Sequence, residues 1–308
     1  MVRRTAEHLH YIPNAGARSL VLRSTRTLGL MIPDMTDPIH GQVATAFEQE
    51  ALARGYGVIV ANGFANQDRE RSGLRAFTMQ RVDGTALMGS TLDQEEVVAT
   101  MARDPVVLVG SENLGLAGNK TDLPVGCIRA DEASGVAAMV AHLLTSGRQR
   151  IGYVNGPSAL SNITRRDATL QALAAAGMDG RRRQYHGGAL GWTNAAAVAA
   201  QIAQDRPDAV VCFDDKLALA VMDGLRGFGV RVPDDIAVAG FDDIPFAALA
   251  NPRLSTVAPP SAQMGRRAVE MLMSALESGA LPASEVLPVR LVVRESSGGD
   301  GVAPPIAV

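Results

Sequence analysis

From residue 27 onward, short runs that are apolar at nearly every position alternate with longer segments whose apolar residues recur at helical spacing. Leu28-Gly29-Leu30-Met31-Ile32 predicts a strand stopped by Pro33-Asp34, and residues 42–54 predict a helix ended by Gly55. A strand over 56–60, a helix over 69–79 and strands at Gly84-Thr85-Ala86-Leu87-Met88 and Val106-Val107-Leu108-Val109 complete a first series. A second series opens near Val125. Its first helix places Val136, Met139, Val140, Leu143 and Leu144 on one face. Strands follow at 151–154, 209–213 and 236–241, with helices over 164–176 and 215–228. A helix over 262–278 and a strand over 286–293 come after both series, so the chain is expected to cross back between two subdomains. Fully apolar strands separated by helices are the mark of parallel sheets covered on both faces. The fold class predicted is therefore α/β, with two doubly wound parallel-sheet subdomains and a cleft between them. In such sheets ligands bind beyond the carboxyl ends of the strands, which directs attention to the residues after each strand.

Composition adds bounds rather than function. The chain has 308 residues, 47% of them hydrophobic, enough for two domains. The formal net charge of −3 is unevenly spread. Arg3, Arg4, Arg18, Arg23 and Arg26 face a single acid, Glu7, in the opening segment. A basic segment ahead of an acidic body reads either as a solvated tail or as the docking part for an anionic partner. Cys127 and Cys212 each sit in an apolar run and read as buried free thiols of a reducing compartment. No apolar signal-peptide core follows Met1 and no stretch is long enough to span a membrane. The expectation is a cytoplasmic protein without membrane contact.

Motifs for chemistry do not surface. There is no zinc spacing of Cys or His, no G-x-S-x-G elbow and no Walker loop. Gly227-Phe228-Gly229 falls at a helix end, where glycine is a stop signal. The expectation is no enzyme, no metal and no cofactor.

Four blocks carry a family resemblance. They are Ala6-Glu7-His8-Leu9-His10-Tyr11-Ile12-Pro13-Asn14 followed by Ala17-Arg18-Ser19-Leu20; Arg81-Val82-Asp83-Gly84; residues 230–243, which end Ala239-Gly240-Phe241-Asp242-Asp243; and Leu254-Ser255-Thr256-Val257. Together they resemble the lactose/galactose-repressor family of transcriptional regulators over almost the whole chain. The resemblance implies a type I periplasmic-binding-protein-like body, a homodimer, a small-molecule effector and a DNA operator. It also implies these divisions: 1–26, a remnant of the DNA-binding domain with the hinge; 27–126 with 258–282, the N-terminal sensing subdomain; 127–257 with 283–296, the C-terminal one; and 297–308, a flexible tail. Of the family's helix-turn-helix only the third helix, near residues 2–9, has a counterpart, so that domain is expected to be largely missing here.

By the same resemblance, residues 14–22 form a short helix that enters the minor groove when two subunits sit on DNA. Asn14 starts it, Leu20 matches the leucine that wedges between base steps, Ala17 lies beside it and Arg18 near the backbone. An apolar wedge with basic neighbours suits minor-groove bending and phosphate attraction. Away from DNA the segment reads as a disordered linker, because an isolated helix this short is marginal.

The resemblance also places an effector between the subdomains. After the first strand, Asp37-Pro38-Ile39-His40 stands where the family often has Asn-Pro-Phe-Phe, so an aromatic platform is lost and Thr36 or Asp37 is left to meet a hydroxyl. His40 reads as a helix N-terminal residue or a ligand contact. Arg165 matches the family's ligand-binding arginine, with Ala168 in place of a usual glycine and Arg166 the more exposed of the pair. Asp215 is expected to cap a helix, leaving Asp214 to face the cleft, and Asp242 matches an acidic ligand contact. His186 is near a position that is aromatic in some sugar-binding members, against a surface histidine. Trp192 reads as packing or as a ligand contact. Asp37, Arg165, Asp214 and Asp242 with few aromatics favour a hydroxyl-rich ligand, a sugar or sugar derivative, and a sugar acid where Arg165 meets a carboxylate. The rival is a periplasmic-type solute-binding protein without DNA function, which would carry a signal peptide and lack the hinge.

Overall fold

The computed structural model describes residues 24–64, 66–92, 94–101, 104–110, 125–157, 160–178, 183–187, 193–280, 283–299 and 306–307. Asn14, Ala17, Arg18 and Leu20 of the expected hinge lie outside them, as does Trp192. The chain divides into two units. Of the described residues, the first takes those up to Val109, those from Val125 to Ile128 and those from Ala262 to Ser284; the second takes Gly110, those from Arg129 to Ser261 and those from Glu285 onward.

In the first unit, β1 (Thr27–Ile32), α1 (Pro38–Ala53), β2 (Gly57–Asn62), α2 (Gln67–Gln80), β3 (Gly84–Met88) and β4 (Val106–Val109) lie close to where the sequence pattern predicts them; α3 (Gln94–Met101) is an additional helix, and β5 (Val125–Ala130), expected to open the second series, instead pairs with β4 in the first sheet. The strands are parallel neighbours in the order β5-β4-β3-β1-β2. Leu28, Leu30, Met31 and Ile32 of β1 are all buried, as expected of a central parallel strand. Helix α1 starts four residues before the expected position. Asp37 accepts a hydrogen bond from Ile39 N (3.1 Å), and Pro38 opens the first turn, where its missing N–H costs nothing.

The second unit repeats the plan: α4 (Glu132–Thr145), β6 (Ile151–Asn155), α5 (Leu160–Ala175), β7 (Gln184–His186), α6 (Ala195–Asp205), β8 (Ala209–Cys212), α7 (Asp215–Gly227), β9 (Ala237–Ala239), α8 (Pro245–Leu249) and β10 (Thr256–Ala258). Its sheet is parallel in the order β7-β6-β8-β9. The chain then makes α9 (Ser261–Ser278), β11 (Glu285–Leu287), β12 (Arg290–Val292), a 3-10 turn (Glu295–Ser297) and β13 (Ile306–Ala307). The single strand expected over 286–293 is two short ones, because Pro288 has no N–H to donate to a ladder. β12 pairs antiparallel with β10, and the turn after it plugs the unit: Ser296 Oγ bonds Val238 O and Ser255 N, and Ser297 Oγ meets Ser255 Oγ and His142 Nε2. Cys127 and Cys212 are buried thiols. No helix among the described residues is long and apolar enough to cross a membrane.

Helix α9 closes the first unit by laying Gly265 against α1. A Cβ at Gly265 would stand 2.4 Å from Val43 O and 2.9 Å from Phe47 N, both backbone atoms. Gly265→Ala is therefore expected to destabilise the protein by about 1–3 kcal/mol despite alanine's better helix propensity. Gly41, on α1, has nothing within 4 Å of its would-be Cβ. Gly41→Ala is expected to be neutral or stabilising by up to about 1 kcal/mol. Urea melts of both variants check the contrast; equal losses would show that helix contact is not what Gly265 provides.

Candidate functional site

In both sheets the second strand in sequence lies on one side of the first and the third strand on the other, so each unit has one topological switch point. In the second unit it falls between β6 and β8. The carboxyl ends of those strands deliver Asn155-Gly156 and Phe213-Asp214. Gly156 is required there: a Cβ would meet the Phe213 ring at 2.2 Å. Asn162, at the start of α5, locks the turn by accepting from Gly156 N (3.0 Å) and from the buried Tyr153 hydroxyl (3.1 Å).

Arg165 comes next on α5, on the same side. Its side chain is only 9% exposed. Nη1 donates to Phe213 O at 2.8 Å, and Nη2 donates to Glu132 Oε1 at 2.8 Å and lies 3.5 Å from Asp242 Oδ1. The guanidinium carbon stands 3.6 Å from the Phe241 ring centroid and 4.9 Å from that of Phe213, within cation–π range. Burial alone pulls its pKa down, but the Glu132 and Asp242 charges and the Glu132 hydrogen bond outweigh that and hold it above the ordinary arginine value. Each charge-assisted bond is worth about 1.5–3 kcal/mol. Two of them and a stacked face offset a desolvation cost of several kcal/mol.

The acids around Arg165 have distinct jobs. Asp214 caps α7, accepting from Leu217 N at 2.8 Å. The cap is thus Asp214 and not the expected Asp215. Asp215, the first residue of the helix, is fully buried and accepts from Ile244 N (2.9 Å) and Thr256 Oγ1 (2.6 Å). Burial, then repulsion from Asp242, push its carboxyl well above the usual range. Asp242 and Asp243 both have positive φ, 107° and 50°. The second is the αL conformation that aspartate tolerates; the first is strained at a cost of order 1–3 kcal/mol. The turn is held by Asp242 N to Val257 O (2.8 Å) and by Arg294, which donates to Asp243 Oδ1 at 2.7 Å. Glu132 enters from the first turn of α4, which Asp131 caps through Ser134 N (3.2 Å).

The structure therefore joins Arg165 and Asp242, with Asp214 on the same strand ends, and adds Glu132, Phe213 and Phe241 to the residues expected from the sequence. Arg166 turns outward and pairs with Asp167 at 2.8 Å. His186 is exposed at the end of β7. In the first unit, Thr36 donates through N and Oγ1 to Asp34 Oδ1 (2.8 and 2.7 Å), Asp37 is occupied as the α1 cap, and His40 Nδ1 lies 2.8 Å from Asp34 O. Among the described residues no group of three or more His, Cys, Asp or Glu is placed to hold a metal ion.

Residues 140–297 match the family model of the periplasmic binding protein-like domain. The HTH-type transcriptional repressor PurR of Photobacterium profundum is 32% identical over 272 residues, covering 87% of this chain and 79% of that protein. The HTH-type transcriptional regulator GalR of Escherichia coli is 28% identical over 279 residues, covering 90% and 80%. A solved lac repressor dimer, bound to operator and the anti-inducer ONPF, matches with a TM-score of 0.85 at 23% identity, over 96% of this chain and 88% of that one. That last likeness speaks for the fold. The body is thus a type I periplasmic-binding-like α/β fold, with its buried arginine at a strand switch point. The chain belongs to the lactose/galactose-repressor family of transcriptional regulators. Its relatives are regulators, which points away from catalysis.

Asp215 gives this site a pH signature. A carboxyl with a folded pKa above its unfolded value holds its proton longer in the folded state. The penalty for charging it is absent below the unfolded value and grows as pH rises toward the folded one. Asp215→Asn keeps an acceptor for Ile244 N and supplies a donor for Thr256. The stability of this variant relative to the parent is expected to increase with pH above about 4. Denaturation curves across pH check this; parallel profiles would show that Asp215 is charged in the fold.

Proposed function

We propose that this chain is an effector-responsive transcriptional regulator, acting as a repressor, whose effector is a small hydroxyl-rich molecule of the sugar class. The observation that carries the reading is the Arg165 cluster. A buried cation holds two carboxylates at the switch point of a parallel sheet, where ligands of such sheets bind. Carboxylates accept hydrogen bonds from adjacent hydroxyls, and the half-buried ring of Phe213 suits the apolar side of a sugar ring. By the family resemblance, Thr36, Asp37, Asp214 and His186 are further proposed effector contacts. Through a homodimer, the effector changes how the hinge meets an operator. Reciprocity then requires DNA to change effector affinity by the same factor.

The effector arm is tested by titrating neutral sugars and nucleobases against the protein in thermal unfolding. A sugar is expected to stabilise by about 2.7 kcal/mol at a hundred times its dissociation constant. Arg165→Met, which strips Glu132 and Asp242 of their partner, is expected to abolish that shift. Stabilisation by nucleobases alone would sink the sugar reading.

The DNA arm rests on Asn14, Ala17, Arg18 and Leu20. With a phosphate contact at Arg18, Arg18→Gln is expected to lower the slope of log affinity against log salt by about 1 on duplex DNA. Fluorescence anisotropy over a salt series measures it, and an unchanged slope removes Arg18 from the DNA surface.

A further inference from the structure

A guanidinium grips a carboxylate or phosphate through one of two edges, each a pair of parallel N–H groups. The end edge is Nη1 with Nη2, and the side edge is Nε with Nη2. Both run through Nη2. In this chain Nη2 is the nitrogen that Glu132 and Asp242 share, Nη1 is held by Phe213 O, and Nε is buried without a partner among the described residues. Neither edge presents two N–H groups to a ligand. The occupant that matters is Glu132. Its carboxylate reaches Arg165 from the first turn of α4, and the residue is also part of the wall of a shallow pocket with Arg129, Ser161 and Thr164. The positive end of α4, which would otherwise draw an anion, is already met by the Asp131 cap and by Glu132. Asp214 and Asp242 add negative charge on the neighbouring strand ends.

We propose that Glu132 sets the charge class of the effector. It turns Arg165 from an anion receptor into an internal cation that aims the Glu132 and Asp242 carboxylates at ligand hydroxyls. The site takes an uncharged polyol and rejects sugar acids and sugar phosphates. This rests on the effector reading above and narrows it, since an arginine in an effector site otherwise invites a carboxylate.

The test needs no known effector. Inorganic phosphate and D-gluconate are titrated against chloride at matched ionic strength, with melting temperature read for the parent, Glu132→Gln, and the double variant Glu132→Gln with Arg165→Met. The parent is expected to show no shift beyond chloride. Glu132→Gln keeps the side chain's size but releases Nη2, and is expected to bind phosphate at least tenfold more tightly than the parent. The double variant is expected to lose that gain. Three results would overturn the proposal: a parent that binds phosphate or gluconate as tightly as Glu132→Gln, no gain in Glu132→Gln, or a gain that survives in the double variant, which would place the anion on Arg129. If Glu132→Gln does not fold, the parent and Arg165→Met decide. Phosphate binding by the parent that Arg165→Met abolishes overturns the proposal, and absence of a phosphate shift in the parent upholds it. A chain that binds no sugar yet behaves as expected here would refute the effector class while leaving the exclusion of anions standing.

Discussion

A guanidinium taken out of water must be compensated by opposite charge and hydrogen bonds, or it destabilises the fold by several kcal/mol. Arg165 imposes that demand on the second unit, and much of the local sequence answers it. Gly156 leaves room for Phe213, whose carbonyl takes Nη1 and whose ring borders the guanidinium. Phe241 supplies a closer face. Gly240 gives the Asp215 carboxylate space, since a Cβ there would stand 2.2 Å from Oδ1. Two phenylalanines, two acids and the glycine that admits Phe213 are thus gathered around one cation.

The same demand explains why strain is tolerated at Asp242. A left-handed aspartate persists only where surrounding bonds leave no alternative. Here the backbone is pinned to Val257 O, the following carboxylate is pinned by Arg294, and the Asp242 side chain is drawn toward Nη2. The three acids that read alike in sequence are separated by these surroundings. Asp214 caps a helix, Asp215 is buried against Ile244 N and Thr256, and Asp242 stands beside the arginine's edge.

Where a pattern has contrast, the sequence told the elements apart. Gly84–Met88 and Val106–Val109 are found where their apolar runs place them, and α7 starts at Asp215 as expected. Helix α6 carries no such contrast. Its alanine-rich run, Ala195–Asp205, lacks the large residues that make an apolar stripe visible, and β7 is only three residues long. In the site, Arg165 and Asp242 were legible through the family resemblance, and the fold joins them across 77 positions of sequence. Glu132 was not. It sits in an ordinary capping context after Asp131, and only the folded chain reveals that its carboxylate is directed at a residue 33 positions away. That Asp214 and not Asp215 caps α7 was equally hidden, because a cap is decided by backbone angle and not by residue type alone.

The interleaving of the two units has its own consequence for how the chain is made. The first unit waits for α9, which follows nearly all of the second. The second unit then waits for β12 and the Ser296–Ser297 plug, which follow α9. Neither body can finish as it leaves the ribosome while the other is still being synthesised. The segments that close each body emerge last, and closure over such long sequence separations is slow.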